Sequence, residues 1–165
     1  MNEILKIPFA AFGNNWDDLQ LFLKHRGNPS YEITGDLNLS ESNIKSLGNL
    51  TSVGGNLYMY GSKIKDLGNL TSVGGFLDSH NGKIESLGNL TSVGDTLDLS
   101  YCKIKSLGNL TSVGGRLDLR VTTIESLGNL TSVGDSLDLR RTILSKIYIK
   151  EEIQAIVKVG GKIYL

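Results

Sequence analysis

The octapeptide Leu-Gly-Asn-Leu-Thr-Ser-Val-Gly begins at Leu47 and recurs unchanged at Leu67, Leu87, Leu107 and Leu127. The copies stand 20 residues apart, and each runs into a short Leu-x-Leu-type segment. A period this short and regular admits few folds, because a unit of that length cannot bury an apolar face by itself. Stacked units bury that face against one another. The core of such a chain is therefore a column, and the residues outside the repeat have two ends to cover.

Alignment of the units gives seven segments of the same kind: Leu37-Asn38-Leu39, Leu57-Tyr58-Met59, Leu77-Asp78-Ser79, Leu97-Asp98-Leu99, Leu117-Asp118-Leu119, Leu137-Asp138-Leu139 and Ile163-Tyr164-Leu165. Alternation with period two predicts short strands, outer residues buried and middle residues outward. An isoleucine follows at positions 44, 64, 84, 104 and 124, with Leu144 in the sixth place. The spacing of three in Leu47, Leu50 and Val53 predicts an extended or 3₁₀-like back wall, since too few residues remain for a helix with its connections. The position of Gly55 carries Gly or Asp in every unit (Asp95 and Asp135 among them), which suggests a backbone site at positive φ.

Residues 1–33 fall outside the repeat. Ile4, Leu5, Ile7 and Phe9 form an apolar segment that Pro8 restricts to a sheet edge. Asn15 is then a candidate N-cap, Asp17 and Asp18 occupy a first turn, and Trp16, Leu19, Phe22 and Leu23 share a face up to Gly27. A helix over about 15–26 would cover the first coil. The solenoid is assigned to residues 34–145. The step from Leu137 to Ile163 is 26 residues, six over the period. That excess, around Glu151 to Lys158, fits a short helix, so residues 146–165 are read as a C-terminal cap of helix plus final strand. The whole is one domain.

Lys plus Arg and Asp plus Glu both number 17, so no global field favours nucleic acid or an anionic membrane, and neither partner is expected. No apolar run approaches the roughly 18 residues of a membrane span. The start, Met-Asn-Glu-Ile-Leu-Lys-Ile-Pro, makes a poor signal peptide. Cys102 is the single cysteine, which excludes an intrachain disulfide and suits a reducing compartment. Five Asn-Leu-Thr triplets match a glycosylation signal, but Gly-Asn is turn chemistry and recurs because the repeat does. A cytoplasmic location is expected. So is the absence of any cofactor or metal.

The string Leu97-Asp-Leu-Ser-Tyr-Cys102-Lys-Ile104 resembles the L-x-L-x-x-N/C/T-x-L core of leucine-rich repeats. Ser42, Ser62, Gly82, Cys102, Thr122 and Thr142 occupy the place of the family's Asn, whose ladder is missing here. The Ser-Val-Gly-Gly-x-Leu-x-Leu portion is similar to receptor L domain repeats, and the resemblance also extends to short-repeat bacterial and phage proteins. It implies a mainly β, right-handed parallel β solenoid of leucine-rich-repeat type, with about seven coils, a helical N-terminal cap and a short C-terminal capping helix. It further implies binding of partners, mostly proteins, on the strand face, since such domains rarely have catalysis of their own.

Within the chain, the turn and wall barely vary and the residues around the strand do. Tyr58, Tyr60, Phe76, His80 and Tyr101 put aromatics toward the N-terminal half of that face, beside Asp78. Asp98, Asp118 and Asp138, interleaved with Arg116, Arg120, Arg140 and Arg141, make the C-terminal half ionic. Aromatic and Arg side chains dominate binding hot spots, so these thirteen residues are the candidate partner-binding site. Stacked carboxylates repel unless cations lie between them, and the arginines are expected to supply those cations. Two histidines far apart (His25, His80), a cysteine with no evident base and no phosphate-binding loop argue against an enzyme. The expected function is a protein-binding module, of which an inhibitor acting by occlusion is one form, as a monomer or discrete homodimer. Alternatives are a carbohydrate-binding or carbohydrate-cleaving solenoid using the aromatic and Asp face, and a structural self-assembling element.

Overall fold

The computed structural model describes residues 4–165; residues 1–3, which open both the expected N-terminal cap and the supposed poor signal peptide, lie outside the described residues. The chain forms a mainly β parallel solenoid of about five regular turns with few helices. Each regular turn contributes two short strands to two separate parallel sheets.

The first sheet has seven strands and runs through the Leu-x segments, from Leu37–Asn38 through Leu57–Tyr58, Leu77–Asp78, Leu97–Asp98, Leu117–Asp118 and Leu137–Asp138 to Ile163–Tyr164. Its register is the sequence period itself: Leu57 pairs with Leu77, Leu77 with Leu97, Leu97 with Leu117 and Leu117 with Leu137. The second sheet has eight strands and runs from Leu5–Ile7 through Tyr31–Ile33 and Leu50–Val53, then along Ser72–Val73, Ser92–Val93, Ser112–Val113 and Ser132–Val133 to Lys158–Val159.

The back wall is therefore extended, with a single tight turn feeding it. Leu50 N–H bonds the Leu47 carbonyl at 3.3 Å, and Leu70, Leu90, Leu110 and Leu130 repeat that bond. From the threonine onward the donors turn to the neighbouring coil, as in Thr71 N–H to the Thr51 carbonyl at 2.8 Å and Gly74 N–H to the Val53 carbonyl at 2.8 Å. The threonine hydroxyls follow suit: Thr71, Thr91, Thr111 and Thr131 each donate to the carbonyl of the threonine one coil earlier at 2.9 Å. Backbone polar groups must find partners, and here both ladders run along the axis.

The glycines do two different jobs, and the positive-φ site is not at Gly55. It lies at Gly48, Gly68, Gly88, Gly108 and Gly128, with φ between 54° and 60°. Each of these N–H groups is held by the side chain two residues earlier, as in Gly48 N–H to Ser46 Oγ at 3.0 Å. The Gly54 column is glycine for a different reason. A Cβ on Gly74, Gly94, Gly114 or Gly134 would overlap the carbonyl oxygen of the equivalent glycine one coil before. Coils pack too closely there for any side chain.

Leucine, isoleucine and valine of every turn fill one continuous column, with Leu57, Ile64, Leu67, Leu70, Leu97, Ile104, Leu107 and Leu110 all 0% exposed. Toward the N-terminal end, α1 (Trp16–Lys24) has Asn15 as N-cap, whose Oδ1 accepts from Asp17 and Asp18 N–H, and it adds Leu19 and Leu23 to the core. Tyr31 is buried beside it. Its hydroxyl donates to the Leu47 carbonyl at 3.0 Å, and burial pushes its pKa up to about 12. Toward the C-terminal end, α2 (Leu144–Ile147) and α3 (Lys150–Ile156) bury Leu144 and Ile153. No helix among the described residues is long and apolar enough to cross a membrane.

Candidate functional site

The first sheet presents its variable side chains in rows set by the register. Asp78, Asp98, Asp118 and Asp138 stand in adjacent rows, each paired in register with the next. Their side chains were expected to point outward alike. Instead, Asp118 and Asp138 are buried, at 3% and 0% exposure, whereas Asp78 and Asp98 are only half-buried. The cause is the arginine layer above them. Arg116 Nη2 bridges Asp118 Oδ2 at 2.9 Å and Asp138 Oδ2 at 2.7 Å. Arg120 reaches Asp118 Oδ2 at 2.7 Å, and Arg140 reaches Asp138 Oδ2 at 2.6 Å.

These ion pairs set the local electrostatics. Burial pushes the Asp138 carboxyl up, but the Arg140 hydrogen bonds and the charges of Arg140 and Arg116 outweigh it and hold the pKa below its ordinary 3.8. The Asp118 side chain raises Arg120, and Asp138 raises Arg140. These shifts favour the charged forms of Asp138, Arg120 and Arg140. The arrangement is a fixed ionic lattice.

The other half of the face is different. Tyr58 and Phe76 meet edge to face, centroids 5.0 Å apart. Tyr60 packs on the His80 ring at 4.4 Å, and His80 Nδ1 lies 2.7 Å from Asp78 Oδ1. No arginine pairs with Asp78 or Asp98 among the described ion pairs. Asp78, His80 and Asp98 each bring one ligand-type atom within 4.8 Å of the others. Of these three half-buried side chains, Asp78 and His80 are already engaged with each other.

The thirteen expected residues thus divide into an aromatic group (Tyr58, Tyr60, Phe76 with Asp78, His80 and Asp98) and an ionic group (Arg116, Asp118, Arg120, Asp138, Arg140). Tyr101 and Arg141 stand beside the ionic group. Tyr101 is 56% exposed and, with Arg120, Val121, Arg140 and Arg141, lines a cleft of about 220 Å³. Arg140 also lies over the Tyr164 ring at 5.1 Å, a contact the sequence reading did not single out. Cys102 is buried, its Sγ donating to the Ser79 carbonyl at 3.0 Å, and burial pushes its thiol pKa up. Such a thiol packs and does not react.

No protein-family model, curated protein or solved structure matches this chain.

Two features escaped the sequence reading. Glu41, Asn81, Tyr101, Val121 and Arg141 all adopt left-handed backbone at φ 54° to 63°, in the same column as Gly61. Gly61 and Asn81 were the readable signal, since both residue types tolerate that conformation. The second is a basic strip, where Lys45, Lys63, Lys65 and Lys83 line an open groove of about 730 Å³. The recurring Lys-Ile-Lys or Lys-Ile-Glu string marked it in the sequence.

Proposed function

We propose that this protein is a leucine-rich-repeat-type recognition module that binds a protein partner through the variable face of its first sheet. In this reading the solenoid is right-handed with about seven coils, and α1 and the C-terminal helices cap its ends. It acts in the cytoplasm as a monomer or discrete homodimer, by occupying or masking its partner rather than by catalysis. The observation that carries the reading is the contrast between the two sheets. The Ser-Val sheet repeats the same small residues, whereas the Leu-x sheet carries exposed or half-buried Tyr58, Tyr60, Phe76, Tyr101, Arg120, Arg140 and Arg141. Aromatic side chains, and arginines already held by ion pairs as Arg120 and Arg140 are, lose little conformational freedom on docking.

Affinity capture from a cell lysate, followed by titration of the captured protein, tests it. Tyr60→Ala with Tyr101→Ala is the informative variant, because Arg120→Ala would also strip a cation from buried Asp118. The double variant should weaken binding by about tenfold or more while melting within a few degrees of wild type. Unchanged binding, or a partner that docks on the Ser-Val sheet, overturns the reading.

A further inference from the structure

On the reading that the variable face binds a protein, we infer that the cleft between Tyr101, Arg120, Arg140 and Arg141 is a receptor for acidic side chains, so that the partner docks with an Asp- or Glu-rich segment over the C-terminal half of the face. Four guanidiniums, those of Arg116, Arg120, Arg140 and Arg141, stand against the two carboxylates of Asp118 and Asp138. The lattice of three paired arginines, with Arg141 beside it, therefore holds two positive charges more than Asp118 and Asp138 neutralise. Arg141 makes no ion pair among the described residues and is exposed.

The cations are also placed in advance. Arg120 is fixed by Nε and Nη2 contacts to Asp118, and Arg140 by Nε and Nη2 contacts to Asp138, at distances of 2.6–2.9 Å. Both nonetheless keep 39% and 48% of their side-chain surface in solvent. Each guanidinium thus keeps donors in reserve for an incoming carboxylate, with its rotamer already set. Tyr101, at 56% exposure, closes one side of the cleft with a ring and a hydroxyl. A cleft of about 220 Å³ suits one or two side chains, not a bulky cofactor.

The rest of the face selects between an acidic protein segment and a nucleic acid. Continuing along the same sheet from the cleft, a ligand meets Asp98 and then Asp78, neither paired with an arginine, and then the aromatic pair Tyr58 and Phe76. A polyanion of uniform charge would be repelled over those rows. A polypeptide can present carboxylates to the cleft and apolar or basic residues beyond it. The charge pattern of the face thus fixes the direction in which the partner lies.

Fluorescence anisotropy with three probes tests this: a labelled Glu-rich decapeptide, its Gln counterpart, and a single-stranded oligothymidine of equal charge. The Glu peptide should bind more tightly than either of the others, and more weakly as salt rises. Arg141→Glu should weaken it at least about tenfold with melting unchanged, the loss expected for one charge-assisted contact turned repulsive. Lys83→Glu, on the separate basic strip, should leave it within twofold. Equal binding of the Gln peptide, preference for the oligonucleotide, or indifference to Arg141→Glu overturns the inference. A captured partner that binds wild type and Arg141→Glu alike would overturn it too while leaving the recognition reading intact, whereas a face that captures no protein fails that reading first.

Discussion

Asp138 and Asp98 are the same residue type at equivalent positions two turns apart, yet their surroundings give them opposite roles. Asp138 is fully buried beneath Arg116 and Arg140, so Asp138→Asn removes the anion that both guanidiniums were placed to meet. Denaturant unfolding at pH 7 should register a loss of about 2 kcal/mol. Asp98 has no arginine partner and faces Asp78 in the adjoining row, so Asp98→Asn should leave stability unchanged or raise it by up to about 0.5 kcal/mol. The pH dependence follows from the depressed Asp138 pKa. A carboxyl held below its ordinary value contributes stability that is fully present above the unfolded pKa and is lost as pH falls through the folded one. The margin of wild type over Asp138→Asn should therefore be flat above about pH 5 and shrink below about pH 4. Val121 makes a different local demand. A β-branched residue at φ 57° is strained by roughly 1–2 kcal/mol, which glycine escapes at some entropic cost. Val121→Gly should raise the melting temperature by a few degrees, corresponding to about 0.5–1 kcal/mol. Tyr101 and Arg141 share that backbone state on the rim of the cleft, so their identities are not explained by local backbone preference.

At the scale of the strand and turn, two glycines make separable predictions. Gly94 touches the coil before it so closely that any Cβ would overlap the Gly74 carbonyl oxygen, and backbone cannot step aside without breaking the ladder. Gly94→Ala should cost about 3 kcal/mol or more by thermal or urea unfolding. Gly35, at the start of the stack, has open space and an ordinary φ, so Gly35→Ala should cost less than about 0.5 kcal/mol. This contrast also marks what the sequence could reveal. The period, the Leu-x strands and their 20-residue register were legible, because burial imposes a repeating pattern on side chains. The second sheet was legible only as an extended or 3₁₀-like wall. Its defining bonds, such as Thr71 to Thr51, run between residues a full turn apart and leave no local alternation in two-residue strands. The Gly55 column was misread as a positive-φ site for a related reason: glycine records a lack of room as readily as a left-handed turn, and close approach depends on the next coil. In the site, the arginine neutralisation of Asp118 and Asp138 was readable from interleaved charges. The burial of those two carboxylates was not, since it depends on how the arginine stems lie across the sheet.

The whole molecule inherits its cooperativity from that register. Through the regular turns, from Leu37 to Leu137 and from Ser52 to Ser132, each strand pairs with the one 20 residues on, and the core residues form one continuous cluster, so that each turn packs on its neighbours. The length of the stack should then be adjustable in whole periods and in no other step. Excision of residues 88–107 joins Leu87 to Gly108, restores Leu-Gly-Asn-Leu at the junction and brings Leu117 opposite Leu77. The shortened protein should unfold in one cooperative transition, with an m-value lower by about an eighth because 20 of 165 residues no longer contribute buried surface. Excision of residues 98–107 alone would bring Leu127 and Gly128 of the turn to the place where the next Leu-x strand has to pair, setting a left-handed glycine against a strand and putting both ladders out of register. That variant should lack a sharp transition and should bind hydrophobic dyes. The full-period variant also separates scaffold from site. It removes Asp98 and Tyr101 but retains Arg116, Asp118, Arg120, Asp138 and Arg140, so the ionic lattice should persist with its cleft open on one side. A stable solenoid that still melts as one unit but binds the Glu peptide more weakly would locate recognition in the variable side chains and stability in the repeat. If the excision instead abolished folding, stability would depend on the particular turn removed, and the repeat could not be treated as interchangeable coils.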